Sequence, residues 1–413
     1  MYRLMLSMIR CWFVAAVLFG LVLQQLARGA TFDAERDLGL VANNPAPNVA
    51  ARNTALLSAA LDAQWEGGKF KFADGHVGPI LYPIQCAAKQ FFFAGTITTS
   101  KRIGGILYGA GGNSYMMTEA QYQPGGVFGG MVTRFSRIDG DKGGPVFRMR
   151  GTGFILENVS IYGRRWPGGK DDPFVGVKAE ACIEVEGRAF PATGCHTIRN
   201  CQLGQAKYGI RTIPGYYDDK GTFVKDENHA DQGVVQTVYF SGVESCFRSE
   251  NQQAVGWSFR DIHSDVDAHG GDVVIFDLVR GGDIDADNLL LNHTKVTLIR
   301  VHDFSHNNRR LACNMIRYDG TYFPGSYFTL FKYDGPVLKG QDMSWLRWSV
   351  RVTGDLPGGD AADAKKTFDP TKLIQINDAG SKVGIERKDL LFDIAGMPKT
   401  GFVSAGGPWW RPK

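Results

Sequence analysis

The sequence predicts an all-β solenoid of parallel strands with a short capping helix at its N-terminal end, and three observations carry that prediction. Six stretches fit one six-residue frame: Leu156–Ile161, Ile198–Leu203, Phe240–Ser245, Phe259–Ser264, Ala286–Leu291 and Val301–His306. The third position reads Asn158, Asn200, Gly242, Asp261, Asn288 and Asp303, residue types that tolerate a left-handed backbone, while positions one and four are apolar throughout. Each unit therefore reads as strand, tight corner, strand. The frames recur at irregular intervals of roughly 15 to 42 residues, as stacked coils do when their other corners carry insertions of different size. Finally, Asn53–Asp62 places Leu57, Ala60, Leu61 and the following Trp65 on one helical face just ahead of these units. The end of a solenoid exposes apolar core and an unpaired strand edge, which such a helix covers.

The N-terminus reads as a segment separate from this fold. Arg3 and Arg10 precede an apolar run from Cys11 to Leu23, and Ala27-Arg28-Gly29 offers the small residues of a cleavage site. At about thirteen residues the run is shorter than the roughly 20 needed to cross a bilayer, so the expectation is a cleaved signal peptide over residues 1–29. The mature chain is then secreted, periplasmic or held at the cell surface, with no membrane span after cleavage. The formal charge is +4, and removing the leader's three arginines leaves about +1, which gives no ground for nucleic-acid binding. Six cysteines remain: Cys86, Cys182, Cys195, Cys201, Cys246 and Cys313. Cys201 falls at an inward position of its frame, where a thiol packs as a small hydrophobe, and no spacing resembles a zinc site.

Between the helix and the first frame the chain is rich in Gly, Phe and Tyr, with Phe91-Phe92-Phe93 and Gly104-Gly105-Ile106-Leu107-Tyr108-Gly109-Ala110-Gly111-Gly112 reading as short strands and turns. The order of an Asn-Thr-Ala-Leu-Leu-Ser-Ala-Ala-Leu helix, Ile106–Gly112, Gly144–Gly151 and Leu156–Gly163 resembles the pectate-lyase-like superfamily of right-handed, single-stranded parallel β-helices. The resemblance runs from about Asn53 to Ser305. It implies the fold and leaves the activity open among polysaccharide lyases, glycoside hydrolases, phage tail-spike depolymerases and members without known activity. The polygalacturonase-type set of motifs is absent as a set: Asp171-Asp172 and Asp218-Asp219 occur without the others, and Ala268-His269-Gly270 lacks a leading glycine.

Dividing each coil into three strands aligns Val146–Gly151, Cys182–Gly187 and Gly209–Ile213 as first strands of successive coils. Phe147, Met149, Ile183 and Val185 then point inward by the period of two, and Arg148, Arg150, Glu184 and Glu186 point outward. The two longest insertions, 164–179 and 214–233, flank this strand row and predict the walls of a groove, where β-helix polysaccharide enzymes place substrate by resemblance.

The groove floor has two readings. Arg148 facing Glu184 and Arg150 facing Glu186 is a ladder of opposite charges that supports the sheet by roughly 0.2–1 kcal/mol per pair. Alternatively, Glu184 and Glu186 act as acid and base, or Arg211, one coil on, abstracts a proton. The insertions offer sugar-binding chemistry: Trp166, Tyr216 and Tyr217 to stack on rings, and Arg164, Arg165 and Lys170 to pair with uronate or sulfate. Asp218, Asp219, His229 and Asp231 lie in the second insertion within reach of a substrate; the plainer reading of each is a solvated loop residue. A further group, Asp265, Asp267, His269, Asp272, Asp283, Asp285 and Asp287, opens like an EF-hand at Asp283 but has Asn288 for the sixth-position glycine and Thr294 for the closing acid. Asp265, Asp267, Asp283 and Asp285 remain candidates for an irregular Ca²⁺ site, and no other cofactor is indicated. No Gly-x-Ser-x-Gly, His-Glu-x-x-His, Walker or dinucleotide motif occurs, which removes most common enzyme classes.

The expected organisation is a signal peptide over 1–29, the β-helix with its cap over 30–319, and C-terminal strands over 320–413 that form further coils or a small separate unit. The expected function is action on an anionic polysaccharide, foremost as a lyase, with a hydrolase or a non-catalytic carbohydrate-binding solenoid as alternatives. The oligomeric state is open.

Overall fold

A computed structural model describes residues 31–65, 67–102, 104–111, 132–164, 178–189, 193–265, 272–293, 295–302, 310–318, 327–334, 347–355, 374–376 and 390–395. The expected leader lies outside these residues, as do Arg165, Trp166, Lys170, Asp267, His269 and Asp303.

The helix is Pro47–Asp62, starting six residues before the expected Asn53. Proline suits a first turn, where its missing N–H leaves no bond unmade. Ala50, Asn53, Leu57, Ala60 and Leu61 form the buried face. Asn53 is thus a mid-helix residue. Its amide accepts from the Val41 N–H at 2.9 Å and donates to the Val41 and Phe92 carbonyls at 2.8 and 3.1 Å, tying the helix to the first long strand, Gln90–Phe93. Trp65 lies beyond the helix end under the Arg102 guanidinium, 4.2 Å from its ring centre.

Among the described residues the chain is mostly β, in one sheet of 15 strands and one of nine, both parallel in their main pairings. Strands of the two sheets alternate along the sequence. Ile155–Glu157, Thr197–Arg199, Val234–Ser241, Trp257–Asp265, Ile284–Asn292 and Arg310–Tyr318 lie side by side in the first sheet. Phe147–Met149, Ala179–Val185, Ala206–Thr212, Ser245–Ser249, Val273–Leu278, Lys295–Val301 and Tyr327–Tyr333 do so in the second. Strands Arg347–Asp355 and Leu390–Ala395 continue the first sheet, and Ile374–Ile376 continues the second.

The register stacks like residues. Leu107, Leu156, Ile198, Val235, Phe259, Ala286 and Cys313 form one continuous buried row. Val238, Ile262, Leu289 and Ile316 form a second, next to Val159 and Cys201 at the matching places of their strands. Between the two rows sit Asn158, Asn200, Thr237, Asp261 and Asn288, all with φ between +52° and +60°. Four of these five corners are the expected ones. The third is Thr237, so the true unit there is Val235–Phe240, five residues upstream of the expected Phe240–Ser245. Gly242 does have φ +63°, but it follows the Gly204–Ser241 pair and so aligns with Gln205 (φ +53°) at a different bend. Phe240 is buried, in register with Leu203 instead of Ile198. Val301 is also buried, but it pairs with Leu278 and Tyr333 in the second sheet, outside the Leu156 row.

Aromatic side chains fill the middle of the core. Trp257 and Phe259 stack with centroids 6.2 Å apart, Phe247 lies 5.2 Å and Phe276 5.0 Å from Phe259, and the Trp257 indole N–H donates to the Ala230 carbonyl at 2.8 Å. Polar residues also enter the interior rows: Thr212 and Ser249 continue the Val185 row, with the Ser249 hydroxyl donating to the Arg280 carbonyl at 2.6 Å, and Ser264, in register with Phe240 and Leu291, places its hydroxyl 2.8 Å from His293 Nε2 and 3.2 Å from Cys246 Sγ. A buried hydroxyl needs such partners, since going without costs several kcal/mol in order of magnitude, roughly 2–7. The six cysteines among the described residues are free thiols, and Cys201 is buried as expected of its position.

Candidate functional site

The outward side chains of the second sheet form a charged row across seven strands. Arg148, Glu184, Arg211, Arg248, Asp277, Arg300 and Lys332 are successive register partners. The expected alignment of the strands at Phe147, Ile183 and Ile210 holds, with Phe147, Met149, Ile183 and Val185 fully buried on the other face.

Each cation in the row meets a carboxylate. Arg148 Nε lies 2.8 Å from Glu184 and 3.9 Å from Glu186, Arg150 Nε lies 3.6 Å from Glu186, and Arg211 lies 3.6 Å from Glu184, 3.5 Å from Glu180 and 2.8 Å from Glu250. Arg248 bonds Glu250 at 2.6 Å and also Asp277, which in turn lies 2.6 Å from His302 Nε2. Acids and bases differ in depth. The side chains of Glu184, Glu186 and Asp277 are 3%, 0% and 3% exposed, against 14–21% for Arg148, Arg150, Arg211 and Arg248. In the row, then, these four arginines lie outside Glu184, Glu186 and Asp277, while Glu250 and Glu180, at 16% and 32%, lie at the arginines' own level or further out.

The electrostatics follow from that layering. Burial pushes the Glu186 carboxyl above the usual range, against the pull of the Tyr217 N–H and the Arg150 and Arg148 guanidinium groups. Burial acts the same way on Glu250 and Asp277, but there the bonds from Arg211 and from His302 and Arg248 win, and both carboxyls are held below their usual range. Burial alone would lower Arg211; its bond to Glu250, with Glu184 and Glu180 nearby, reverses the direction, so Arg211 holds its proton more tightly than usual.

The insertion 214–233 folds a hairpin, Gly215–Tyr217 against Phe223–Lys225, over one end of the row. The Tyr217 N–H donates to Glu186 Oε1 at 3.0 Å, and Arg150 Nη2 donates to the Tyr217 carbonyl at 3.0 Å. The Tyr217 and Tyr216 rings each carry a guanidinium 3.8 Å from their centres, from Arg148 and Arg188. Asp218 holds the hairpin turn by accepting from the Lys220 and Thr222 N–H groups at 2.9 and 2.8 Å. Asp219 pairs with Lys101, whose hydrogen bond lowers its carboxyl pKa. His229 is half exposed, 3.8 Å from Asp231.

Thus Glu184, Glu186 and Arg211 share one network of ion pairs, Tyr217 joins it through Glu186 and Arg148, and Tyr216 faces Arg188. Arg164 is half-buried at the start of the other insertion, while Arg165, Trp166 and Lys170 lie outside the described residues. Asp267 lies outside the described residues, and of the other Ca²⁺ candidates Asp265 and Asp285 do not converge. Asp265 pairs with Asn292 at one end of the Trp257–Asp265 and Ile284–Asn292 strands, and Asp285 pairs with Ser258 at the other, with the Asn288 corner between. Among the described residues no group of three or more His, Cys, Asp or Glu could hold a metal ion. Sequence reasoning missed Arg248, Glu250, Asp277, Arg300 and His302. The signal was present: the alternation of Cys246–Glu250 and Val274–Leu278 continues the aligned first strands, but those strands were never added to the row.

No family model and no curated protein matches the chain. Among solved structures it is similar to the catalytic domain of a GH87 alpha-1,3-glucanase in complex with tetrasaccharides, at 13% identity and a TM-score of 0.30. That similarity covers 79% of this chain and 65% of the other, less than two thirds of its length. At this TM-score the likeness carries no argument.

Proposed function

We propose that the chain is an exported, right-handed parallel β-helix protein that acts on an anionic polysaccharide along the charged row of its second sheet, by β-elimination. One observation carries the reading: arginines from successive parallel strands stand above buried carboxylates, beside a hairpin that brings two tyrosines. Strands about 4.8 Å apart set these cations at the scale of a sugar repeat, so an extended chain lying across them meets one strand after another. Elimination needs the uronate carboxylate neutralised so that the adjacent carbon can lose a proton, and fixed guanidinium groups supply that neutralisation. Arg211 serves this role better than the proton-abstracting role expected from sequence, because its acidic neighbours keep it charged.

One observation favours a hydrolase as the second reading. Glu186, with its raised pKa, and Glu184 are two outward positions on one continuous stretch of chain, an acid and a carboxylate in differing environments. The test is to incubate the purified protein with polygalacturonate, alginate and hyaluronate. Ultraviolet absorbance from 4,5-unsaturated products supports elimination, and new reducing ends without absorbance support hydrolysis. Binding without either product makes the protein a carbohydrate-binding one, and neither binding nor cleavage sinks the polysaccharide reading.

A further inference from the structure

We propose that His302 is the proton acceptor of this groove, positioned by Asp277, with Arg248 and Arg300 as the flanking cations that receive the substrate carboxylate. This inference rests on the lyase reading above and assigns its catalytic residue. Asp277 stands in register between Arg248 on the preceding strand and Arg300 on the following one. Its two oxygens are divided: Oδ2 is taken by Arg248 and Oδ1 by His302 Nε2 at 2.6 Å. An ionised carboxylate can only accept, so Nε2 carries the hydrogen in this bond and a neutral ring keeps its lone pair on Nδ1.

The exposures suit the two roles. Asp277 is buried and closed to solvent at 3%, while the His302 side chain is 27% exposed. A base needs a lone pair, a fixed orientation and access, and no other group in the row combines them. Glu184 and Glu186 lie beneath arginines, and the arginines are themselves engaged by carboxylates. The charged groups around His302 are Asp277 and Arg248 with Glu250 from the preceding segments, Arg300 two residues before it, and Lys332 and Asp334 from the next. Arg300 is tied to Asp334 at 2.6 Å and is 34% exposed, more open than Arg148, Arg211 or Arg248.

In the reaction His302 Nδ1 takes the proton from the uronate carbon next to the carboxylate. The C–H electron pair becomes the C4=C5 double bond, and the bonding pair of the C4–O link leaves with the glycosidic oxygen, which takes a proton from water. Asp277 holds the ring and faces the imidazolium that forms.

The experiment uses the full protein and its His302→Gln and Asp277→Asn variants with polygalacturonate, alginate and hyaluronate, following absorbance, polymer binding and melting temperature. His302→Gln is expected to lower turnover roughly 10²-fold or more, the usual scale for a lost general base, with polymer affinity within about threefold of wild type. Asp277→Asn is expected to move the acidic limb of the pH–rate profile. An aspartate with only a structural role would lower the melting temperature and leave that limb in place. Wild-type turnover by His302→Gln overturns the assignment and leaves the lyase reading standing. A wild-type protein that forms no unsaturated product from any of the three polymers overturns the lyase reading and the assignment with it.

Discussion

The backbone N–H of Tyr217 donates to Glu186 Oε1 over 3.0 Å, so a fully buried carboxylate of the sheet anchors the hairpin that overhangs it. The same carboxylate lies 3.6 Å from Arg150, which donates in turn to the Tyr217 carbonyl. Glu186 is thus shared between the ladder and the hairpin. Removing it strands a half-buried arginine and frees the Tyr217 amide. Glu186→Ala is expected to cost about 3–5 kcal/mol, the scale for breaking a buried pair from one side. Glu186→Gln should cost less, because burial already favours the neutral form of this side chain. Urea unfolding measures both, and trypsin cleavage at Lys220 or Lys225 should quicken in step. A Glu186→Ala variant as stable as wild type would show that the anchor holds nothing.

Thr237 explains where the sequence reading of the repeat went astray. Left-handed corners were sought among Asn, Asp and Gly, and that rule finds Asn158, Asn200, Asp261 and Asn288. A β-branched residue at φ +52° breaks it, so the frame slid to Gly242, which has the right conformation at the wrong bend. The strain at Thr237 is held by stacked neighbours on both sides. Thr237→Asn should relieve it and raise stability by about 1 kcal/mol, the lower end of the left-handed penalty for an L-residue. Thermal unfolding reads this as a higher midpoint, and a lower midpoint would mean that the threonine side chain contributes more than its backbone costs.

The legibility of the site has a similar limit. Alternation along single strands identified Arg148, Arg150, Glu184 and Glu186, because two strands could be aligned by their terminal glycines, Gly151 and Gly187, and Arg211 followed from the next strand in order. Arg248 and Asp277 lie on strands without that marker, and His302 directly follows the end of another. Their strands alternate in the same way, but which residue faces which across the sheet is set by register, and without a shared glycine the alternation alone does not fix it. The depth difference between acids and arginines is likewise a property of packing. From sequence, Tyr216 and Tyr217 were open rings awaiting sugars; in the fold each faces a guanidinium.

Phe259 sits at the centre of the aromatic core, touching Trp257, Phe247 and Phe276. Phe240 fills the neighbouring row so closely that a side chain at Gly209 would lie 2.5 Å from its ring. Replacing either phenylalanine by Ala should destabilise by about 3–5 kcal/mol through the cavity left behind. Gly209→Ala should also destabilise, from the opposite cause, by overpacking at about 1–3 kcal/mol. Chemical denaturation tests all three, and wild-type midpoints for both phenylalanine variants would contradict their burial.

His196 makes stability depend on pH. It is fully buried, accepts from the Phe154 N–H through Nδ1 at 3.3 Å, and burial pushes its pKa down to about 4. The folded value lies below the unfolded one of about 6.5, so the unfolded chain binds the extra proton first. Stability from this group is therefore complete above pH 6.5 and is lost as pH falls towards 4. Between pH 7 and 5 the loss amounts to about 2 kcal/mol, one proton over roughly 1.5 pH units. His196→Leu should remove that increment while leaving the carboxylate contributions common to both proteins. Equal loss in wild type and variant between pH 7 and 5 would mean that His196 titrates alike in both states.

Arg211 and Glu184 separate ladder from chemistry. Glu184 lies 2.8 Å from Arg148 and 3.6 Å from Arg211, buried beneath both, so Glu184→Gln keeps its shape and some hydrogen bonding while removing its charge. If the pair serves the sheet and the binding surface, this variant melts slightly lower and retains turnover to within about tenfold, below the usual loss of a general acid or base. Arg211 is more open and stays charged, so Arg211→Ala should weaken binding of a uronate polymer about tenfold, near 1.4 kcal/mol, and raise KM more than it lowers kcat. The salt dependence of binding should fall with it, since one screened charge contact is gone. A collapse of turnover in Glu184→Gln with binding intact would instead place a carboxylate at the reacting bond, and the hydrolase reading would then replace the lyase one.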